Sequence, residues 1–112
     1  MRRGETMKEN LLQLRAELLK ILGQSTRLRI LEFLKHAERC VCDIMPAIEE
    51  QQSNTSRHLS IMKQAGLLVC RQQGKSVFYQ VKDQRIFSLL KLLDEIIKQQ
   101  IDEKSKVAAL LR

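Results

Sequence analysis

Two cysteines separated by one residue are the side chains of this sequence best suited to chemistry. Cys40 and Cys42 flank Val41 and stand just before a short predicted helix over Asp43–Glu49. The N–H groups at the start of a helix favour a thiolate over a neutral thiol. Thiolates bind soft ions, so the pair predicts a site for arsenite, antimonite, cadmium, lead, zinc or copper(I). A disulfide between residues two apart would close a strained small ring, and we do not expect one.

The third cysteine, Cys70, lies on a predicted strand further along the chain. It could approach Cys40 and Cys42 and complete a three-sulfur site if the Cys40–Val41 segment pairs with the wing. The alternative is that Cys70 is a small apolar strand residue. A redox switch, in which two of the three thiols join by oxidation or through a polysulfide bridge, is the main rival to a metal site. Neither mechanism requires an obligatory cofactor.

The cysteine pair precedes a helix that is rich in small polar residues. This helix is predicted over Ser53–Ala65 and ends at Gly66, which can adopt the left-handed conformation of a helix end. Thr55, Leu59 and Met62 share its core-facing side. The rest of its surface suits the major groove of DNA, where short polar and basic side chains reach base edges and phosphates. The candidate contacts on this helix are Ser53, Asn54, Ser56, Arg57, His58 and Lys63.

A predicted β-hairpin follows this helix directly. Its strands begin at Leu67 and end at Val81, with the turn at Gln72–Lys75. Arg71 and Lys75 near the tip are candidate phosphate contacts. A helix-turn-helix followed by such a hairpin is a winged helix, in which the second helix reads the groove and the wing lies along the DNA backbone.

Three further helices complete a predicted fold that is mainly α with a small β-hairpin wing. Apolar residues at helical spacing predict helices over Lys8–Leu22 and from about Gln84 onward, and Ser25 is a good N-cap for one through His36. The first and last helices carry more apolar surface than a small winged helix can bury alone. We expect one domain over residues 1–112, dimerising through these two helices, with a flexible arm at 1–7 and fraying at 104–112.

Composition narrows the class of partner. The formal net charge is +7 at pH 7, which favours a polyanion. One Tyr, three Phe and no Trp offer little surface for stacking single-stranded bases, so duplex DNA is expected rather than single-stranded RNA. No unbroken apolar run predicts a signal peptide or a membrane span, so a cytoplasmic location without a membrane partner is expected.

The sequence resembles the ArsR/SmtB family of winged-helix repressors in four segments, Leu22–Leu31, Cys40–Asp43, Ser56–Leu59 and Ala65–Leu68. The similarity covers roughly Leu18 to Val81 in the family's order and spacing. It implies a dimeric bacterial or archaeal repressor that an inducer, often a toxic metal ion or metalloid, releases from operator DNA. His58 matches the recognition-helix histidine of the family, which contacts phosphate or packs.

The Cys-Val-Cys-Asp run is similar to that of the arsenite-responsive branch of the family, so the resemblance favours arsenite or antimonite. In that branch a third cysteine usually stands where this sequence has Met45, and a thioether is a poor arsenite ligand but an acceptable copper(I) ligand. Ions bound at Cys40 and Cys42 would pin or unwind the start of the helix that supports the recognition helix and so misalign it for DNA.

No pattern in the sequence indicates an enzyme. It lacks a Gly-rich phosphate loop and a nucleophile elbow, and Cys-x-Cys differs from the Cys-x-x-Cys of thiol oxidoreductases. The non-enzymatic alternative to a repressor is an interaction module that uses the helical dimer surface and binds no DNA. That alternative leaves the basic helix and wing without a role.

Overall fold

The computed structural model of the chain describes residues 6–111, so residues 1–5 of the predicted arm and Arg112 lie outside the described range. Within it, five helices and three strands follow one another: α1 Met7–Leu22, α2 Ser25–Phe33, β1 Arg39–Cys40, α3 Val41–Ile48, α4 Gln52–Gln64, β2 Leu68–Gln73, β3 Ser76–Val81 and α5 Arg85–Leu110. This order is that of a winged helix-turn-helix, with α4 in the recognition position and β2–β3 as the wing.

Local hydrogen bonds explain where the first two helices begin. The Thr6 hydroxyl accepts from the backbone N–H of Glu9, and the Glu9 carboxylate accepts from the N–H of Thr6, each at 3.1 Å. This reciprocal pair is a capping box. The prediction that Ser25 caps α2 is wrong by one residue, because the Gln24 side chain accepts from the N–H of Arg27 at 2.9 Å and takes that role.

The sheet is antiparallel with strand order β1-β3-β2. Gly74, with φ of 61°, forms the predicted wing turn and lets β2 and β3 pair along their full length. The short β1 adds to the outer side of β3, with Arg39 opposite Tyr79 and Cys40 opposite Phe78. The wing is therefore anchored to the segment that carries the cysteine pair.

The chain divides into two compact units, one up to Lys82 and one from Asp83 onward. The first unit contains an apolar core from α2, α3, α4 and β2, in which the most buried large side chains are Ile30, Leu31, Leu34, Ile44, Ile48, Leu59, Met62 and Leu68. The second unit is essentially the long helix α5, which continues unbroken through residues 104–106 to Leu110. A single domain over residues 1–112 stays a prediction.

Two helices expose apolar side chains in the isolated chain. On α1, four leucines are exposed, namely Leu11, Leu12, Leu14 and Leu19. On α5, the exposed apolar residues include Leu89, Leu92, Leu93, Ile96, Ile97 and Ile101. None of the helices in the described part of the chain is both long and apolar enough to cross a membrane. Surfaces of this kind on a helix are typical of association with another helix.

Candidate nucleic-acid interface and thiol site

The recognition-position helix α4 packs on the core through the side predicted from its spacing. Thr55, Leu59 and Met62 are each at most 1% exposed, and Gly66, with φ of 82°, ends the helix as predicted. No side chain caps the helix start at Gln51, so its first N–H groups remain available to an acceptor such as a phosphate.

The outward face of α4 carries most of the predicted DNA contacts. Ser53, Ser56, Arg57 and Lys63 are exposed, and Asn54 is half-buried. A short chain of hydrogen bonds positions two of them. The Asn54 amide donates to the Glu50 carboxylate at 2.6 Å, and Arg57 Nη2 donates to Asn54 Oδ1 at 3.0 Å. Glu50 therefore fixes Asn54, and Asn54 in turn holds the Arg57 guanidinium on the exposed face.

His58 does not lie on that face, which corrects its assignment as a DNA contact. Only 3% of its surface is exposed, because it follows Thr55 by three residues and faces the core with it. Arg27 Nε donates to His58 Nδ1 at 3.1 Å, and Arg27 Nη1 donates to the carbonyl oxygen of Ile21 at 3.2 Å. His58 thus ties α4 to the junction of α1 and α2, so of its two possible roles the structure supports packing.

The environment of His58 lowers its pKa from the ordinary value of 6.5, first through burial and then through the positive charges of Arg27 and Arg57. As the pH falls below 6.5, the unfolded chain therefore binds more protons at His58 than the folded chain does. The contribution of His58 to stability is complete above pH 6.5 and is lost as the pH falls toward the folded-state pKa.

We expect the free energy of unfolding to fall more steeply with acidification in the wild-type chain than in His58→Gln. Glutamine keeps an acceptor for Arg27 and does not titrate. Denaturant unfolding from about pH 7.5 to about pH 5.5 measures the difference. His36→Gln, at an exposed histidine, is the matched control. Equal slopes of unfolding free energy against pH in the wild-type and His58→Gln chains would contradict the lowered pKa of His58 in the folded state.

Lys63 on α4 lies near Cys70 on the wing. The neighbouring Cys70 sulfur raises the pKa of Lys63. Tyr79 lies opposite Cys70 across the β2–β3 pair, and its burial raises the pKa of the phenol. Lys63 is exposed, so its cationic end remains in contact with solvent.

Cys70 is not part of the Cys40–Cys42 site. It lies on β2, while Cys40 lies on β1, and β3 runs between the two strands. Two strand spacings separate their backbones by about 10 Å. Within the described residues, no group of three or more His, Cys, Asp and Glu side chains could hold a metal ion. The cysteine segment does pair with the wing as the prediction required, but it pairs with β3, which keeps Cys70 on β2 away from the pair. The tentative three-sulfur site is therefore wrong.

Arg71 on the wing is held by the protein itself. Its guanidinium forms a two-pronged ion pair with the Glu38 carboxylate, donates to Gln73 Oε1 at 2.7 Å, and lies 4.6 Å from the centre of the Phe78 ring. This pairing raises the pKa of Arg71 and lowers that of Glu38. Arg71 therefore braces the wing against the segment before β1, in competition with its predicted phosphate contact, while Lys75 is exposed at the turn.

The cysteine pair stands at the start of α3 in an arrangement that differs from the sequence expectation. A disulfide joins Cys40 and Cys42, whose Cα atoms are 5.1 Å apart. Cys40 has extended backbone angles as the N-cap of α3, and its sulfur also accepts from the N–H of Cys42 at 3.2 Å. The expectation of no disulfide is wrong here, because this extended backbone turns the Cys40 sulfur toward Cys42. The two sulfurs meet without unwinding α3.

A cleft of about 370 Å³ opens beside the cysteine pair. It is bounded by the start of α3, by the outward face of α4 and by the wing. Its lining residues are Cys40, Val41, Cys42, Met45, Gln52, Ser56, Leu59, Lys75, Ser76, Val77 and Tyr79. A group bound at the cysteines would therefore lie in a cleft that is lined by both elements that a winged helix presents to DNA.

Sequence patterns did not identify three residues that organise this surface. Arg27, Glu38 and Glu50 hold His58, Arg71 and Asn54 in place. The first two act across separations of 31 and 33 residues, which no local spacing reveals. The burial of His58 did have a signal, since Thr55, His58 and Met62 recur at spacings of three and four residues.

Comparison with known proteins agrees with this architecture. Residues 24–68 match the family model described as "Bacterial regulatory protein, arsR family". An uncharacterised HTH-type transcriptional regulator of Methanocaldococcus jannaschii is 39% identical over 82 residues, which are 72% of this chain and 92% of the relative. The arsenical resistance operon repressor of Escherichia coli K12 is 38% identical over 97 residues, covering 86% of this chain and 80% of the repressor.

Among solved structures, the solution structure of a homodimeric winged helix-turn-helix DNA-binding domain from Mycobacterium bovis superposes with a TM-score of 0.76 at 26% identity. The match covers 91% of this chain and 95% of that domain. Because this match covers 91% of the chain, the likeness extends beyond residues 24–68, which the family model matches.

Proposed function

Because the chain belongs to the arsR family of bacterial regulatory proteins, we propose that it is a DNA-binding transcriptional repressor controlled by Cys40 and Cys42. In this proposal the reduced pair binds a thiophilic metal or metalloid ion, with arsenite or antimonite favoured, and the repressor then leaves its operator. The homologous arsenical resistance operon repressor of Escherichia coli supports this class of inducer. Cadmium, lead, zinc and copper(I) are the alternative ions.

The observation that carries the proposal is the shared cleft. Cys40 and Cys42 line it together with Ser56 of α4 and Lys75 of the wing. Ser53, Ser56 and Arg57 on α4 and Lys75 at the wing turn are exposed. We propose that the first three contact base edges and that Lys75 contacts a phosphate. An ion at the cysteines therefore acts next to both DNA-binding elements rather than at a distance from them.

When Cys40 and Cys42 are reduced, their two sulfurs suit a soft ion. Cys40 is 6% exposed and Cys42 is exposed, so one ligand is held by the core and the other is open to incoming ions. Since the sulfurs meet while α3 is intact, ligation pins the start of α3 and occupies the end of the cleft beside the cysteines. We propose that this occupation, rather than unwinding of α3, displaces the DNA backbone from the cleft.

The proposed repressor is a homodimer on duplex DNA. The exposed leucines of α1 and the exposed apolar residues of α5 supply an interface for a second copy. The homodimeric winged-helix domain of M. bovis supports this assembly. A two-fold dimer presents two copies of α4 to successive major grooves and so favours a roughly palindromic operator.

Replacing both Cys40 and Cys42 by serine should leave operator affinity unchanged and abolish release by the inducing ion. Fluorescence anisotropy of the reduced protein on its own promoter DNA measures this, with arsenite, antimonite, cadmium, lead, zinc and copper(I) added in turn. Cys70→Ser is the matched control and should respond as the wild type does, because β3 separates Cys70 from the pair. Release of the double variant by the same ion would overturn the proposal.

A redox-sensing or reactive-sulfur-sensing repressor is the second candidate, favoured by the disulfide between Cys40 and Cys42. In that case oxidation or a polysulfide, rather than an ion, releases the operator. The same anisotropy assay separates the two candidates when an oxidant and a polysulfide follow the ions. Release by oxidant alone, absent in Cys40→Ser/Cys42→Ser, would support the redox reading.

A further inference from the structure

The cleft beside the cysteine pair is much larger than a bare ion. Its volume of about 370 Å³ equals roughly a dozen water molecules at about 30 Å³ each. Part of the wall is apolar, through Leu59 and Val77, and part is polar, through Gln52 and Ser56. An ion bound at the two sulfurs would therefore leave most of the cleft open to a small organic molecule.

The protein supplies two thiols to the cleft, whereas trivalent arsenic has three positions that exchange oxygen for sulfur. The third sulfur-bearing residue of the lining, Met45, is a thioether, which is a poor ligand for arsenite. Cys70 lies two strands away, and the described residues offer no third thiol or imidazole to complete the group. One position on a bound arsenite thus faces the cleft without a protein ligand.

Charge indicates what kind of molecule fits there. Lys75 lines the cleft at the wing turn, and none of the described lining residues is a carboxylate. A carboxylate in the cleft would therefore meet a cation without meeting a like charge. Charge-assisted hydrogen bonds of this kind are stronger than neutral ones.

We propose that the cleft binds a low-molecular-weight thiol that carries a carboxylate, which supplies the third sulfur to arsenite or antimonite held by Cys40 and Cys42. The proposal rests on the proposed function of the cysteine pair and names the additional ligand at that site. Its carboxylate pairs with Lys75, so the bound complex also withdraws from DNA the cation that is placed for a phosphate.

The reaction balances without a change of oxidation state. Arsenous acid, As(OH)₃, exchanges its three hydroxyl groups for the sulfurs of Cys40, Cys42 and the small thiol, and each thiol proton leaves in one of three water molecules. The Cys40–Cys42 disulfide must first be reduced. Two molecules of the small thiol can do this by exchange, becoming a disulfide themselves and leaving two protein thiols.

The test compares two small thiols of opposite charge on the full chain. The protein is reduced with a phosphine, which contributes no thiol, and arsenite is added with 3-mercaptopropionate or with 2-aminoethanethiol. Native mass spectrometry counts the components, and calorimetry measures arsenite affinity. We expect a complex of one chain, one arsenic and one mercaptopropionate, with affinity about tenfold higher in the wild type than in Lys75→Gln.

With 2-aminoethanethiol, the wild-type and Lys75→Gln chains should bind arsenite equally, since the cationic thiol gains nothing from Lys75. The wild-type and variant chains are always compared in the presence of the same small thiol. The difference between the two thiols in their affinity for free arsenite therefore cancels. Lys75→Arg should retain the mercaptopropionate effect, and Lys82→Gln, at an exposed lysine that does not line the cleft, should not change it.

Two negative outcomes have different meanings. A complex of chain and arsenic without small thiol, or an affinity that ignores Lys75, would overturn this inference and leave the proposed function intact. Absence of arsenite binding by the reduced chain under every condition, with the same result for Cys40→Ser/Cys42→Ser, would instead overturn the proposed arsenite response.

Discussion

Replacing Leu93 and Ile97 on α5 by glutamate should separate the proposed dimer and weaken operator binding by about a hundredfold or more. These side chains are 47% and 43% exposed in the single chain, so the substitution puts no charge into the monomer core. In the dimer it would bury carboxylates in an apolar interface at a large cost. Once separated, each chain binds one half-site and loses the effective concentration that the linked partner provides.

Sedimentation at micromolar protein measures the assembly, and anisotropy on promoter DNA measures the affinity. Ser88→Glu/Gln99→Glu is the matched control. It adds the same two charges to the opposite side of α5 by helical spacing, so it should remain dimeric. A Leu93→Glu/Ile97→Glu protein that stays dimeric, or a wild-type chain that is already monomeric, would sink the assignment of α5 as an interface.

Arg57→Ala should weaken specific operator binding by about 1–3 kcal/mol, or roughly five- to 150-fold in Kd. Arg57 is exposed on α4, and Asn54 accepts its guanidinium N–H at 3.0 Å. A guanidinium held in this way loses little conformational freedom when it forms two hydrogen bonds to a guanine edge. The wild-type preference for operator over unrelated duplex should therefore fall along with affinity.

The controls separate base recognition from charge. Arg57→Lys keeps the charge and should restore non-specific binding but not sequence preference. Arg29→Ala removes one positive charge from α2 and should alter the preference little. Measuring Kd against salt concentration adds a further check, because a phosphate contact changes the salt slope. A reduced slope with unchanged preference in Arg57→Ala would show that Arg57 binds phosphate instead.

The sequence predicts correctly those features that depend only on residues close together in the chain. The buried side of α4 follows from the spacing of Thr55, Leu59 and Met62, and the structure confirms it. Gly66 and Gly74 both have positive φ, as the ends of α4 and of the wing strands require. Such features depend on residues within one or two turns of each other, so periodicity and turn chemistry reveal them.

The roles of individual polar side chains could be predicted less well. Arg71 was placed near the wing tip correctly, yet Glu38 pairs with it from 33 residues earlier. His58 was placed on the correct helix, yet Arg27 binds it from 31 residues earlier. Whether a polar residue faces solvent or a partner depends on which distant segment packs beside it, and a single sequence does not encode that neighbour in any local pattern.

By itself, the sequence determined the winged helix-turn-helix, the excess apolar surface of the first and last helices, and the thiol pair at the start of α3. These follow from hydrophobic periodicity, turn residues and the chemistry of sulfur, which are properties of short segments. Tertiary structure alone decided that β1 joins β3, which excludes Cys70 from the pair. It also decided that the cysteines, Ser56 and Lys75 line one cleft, because strand pairing and helix packing bring together residues that the chain keeps apart.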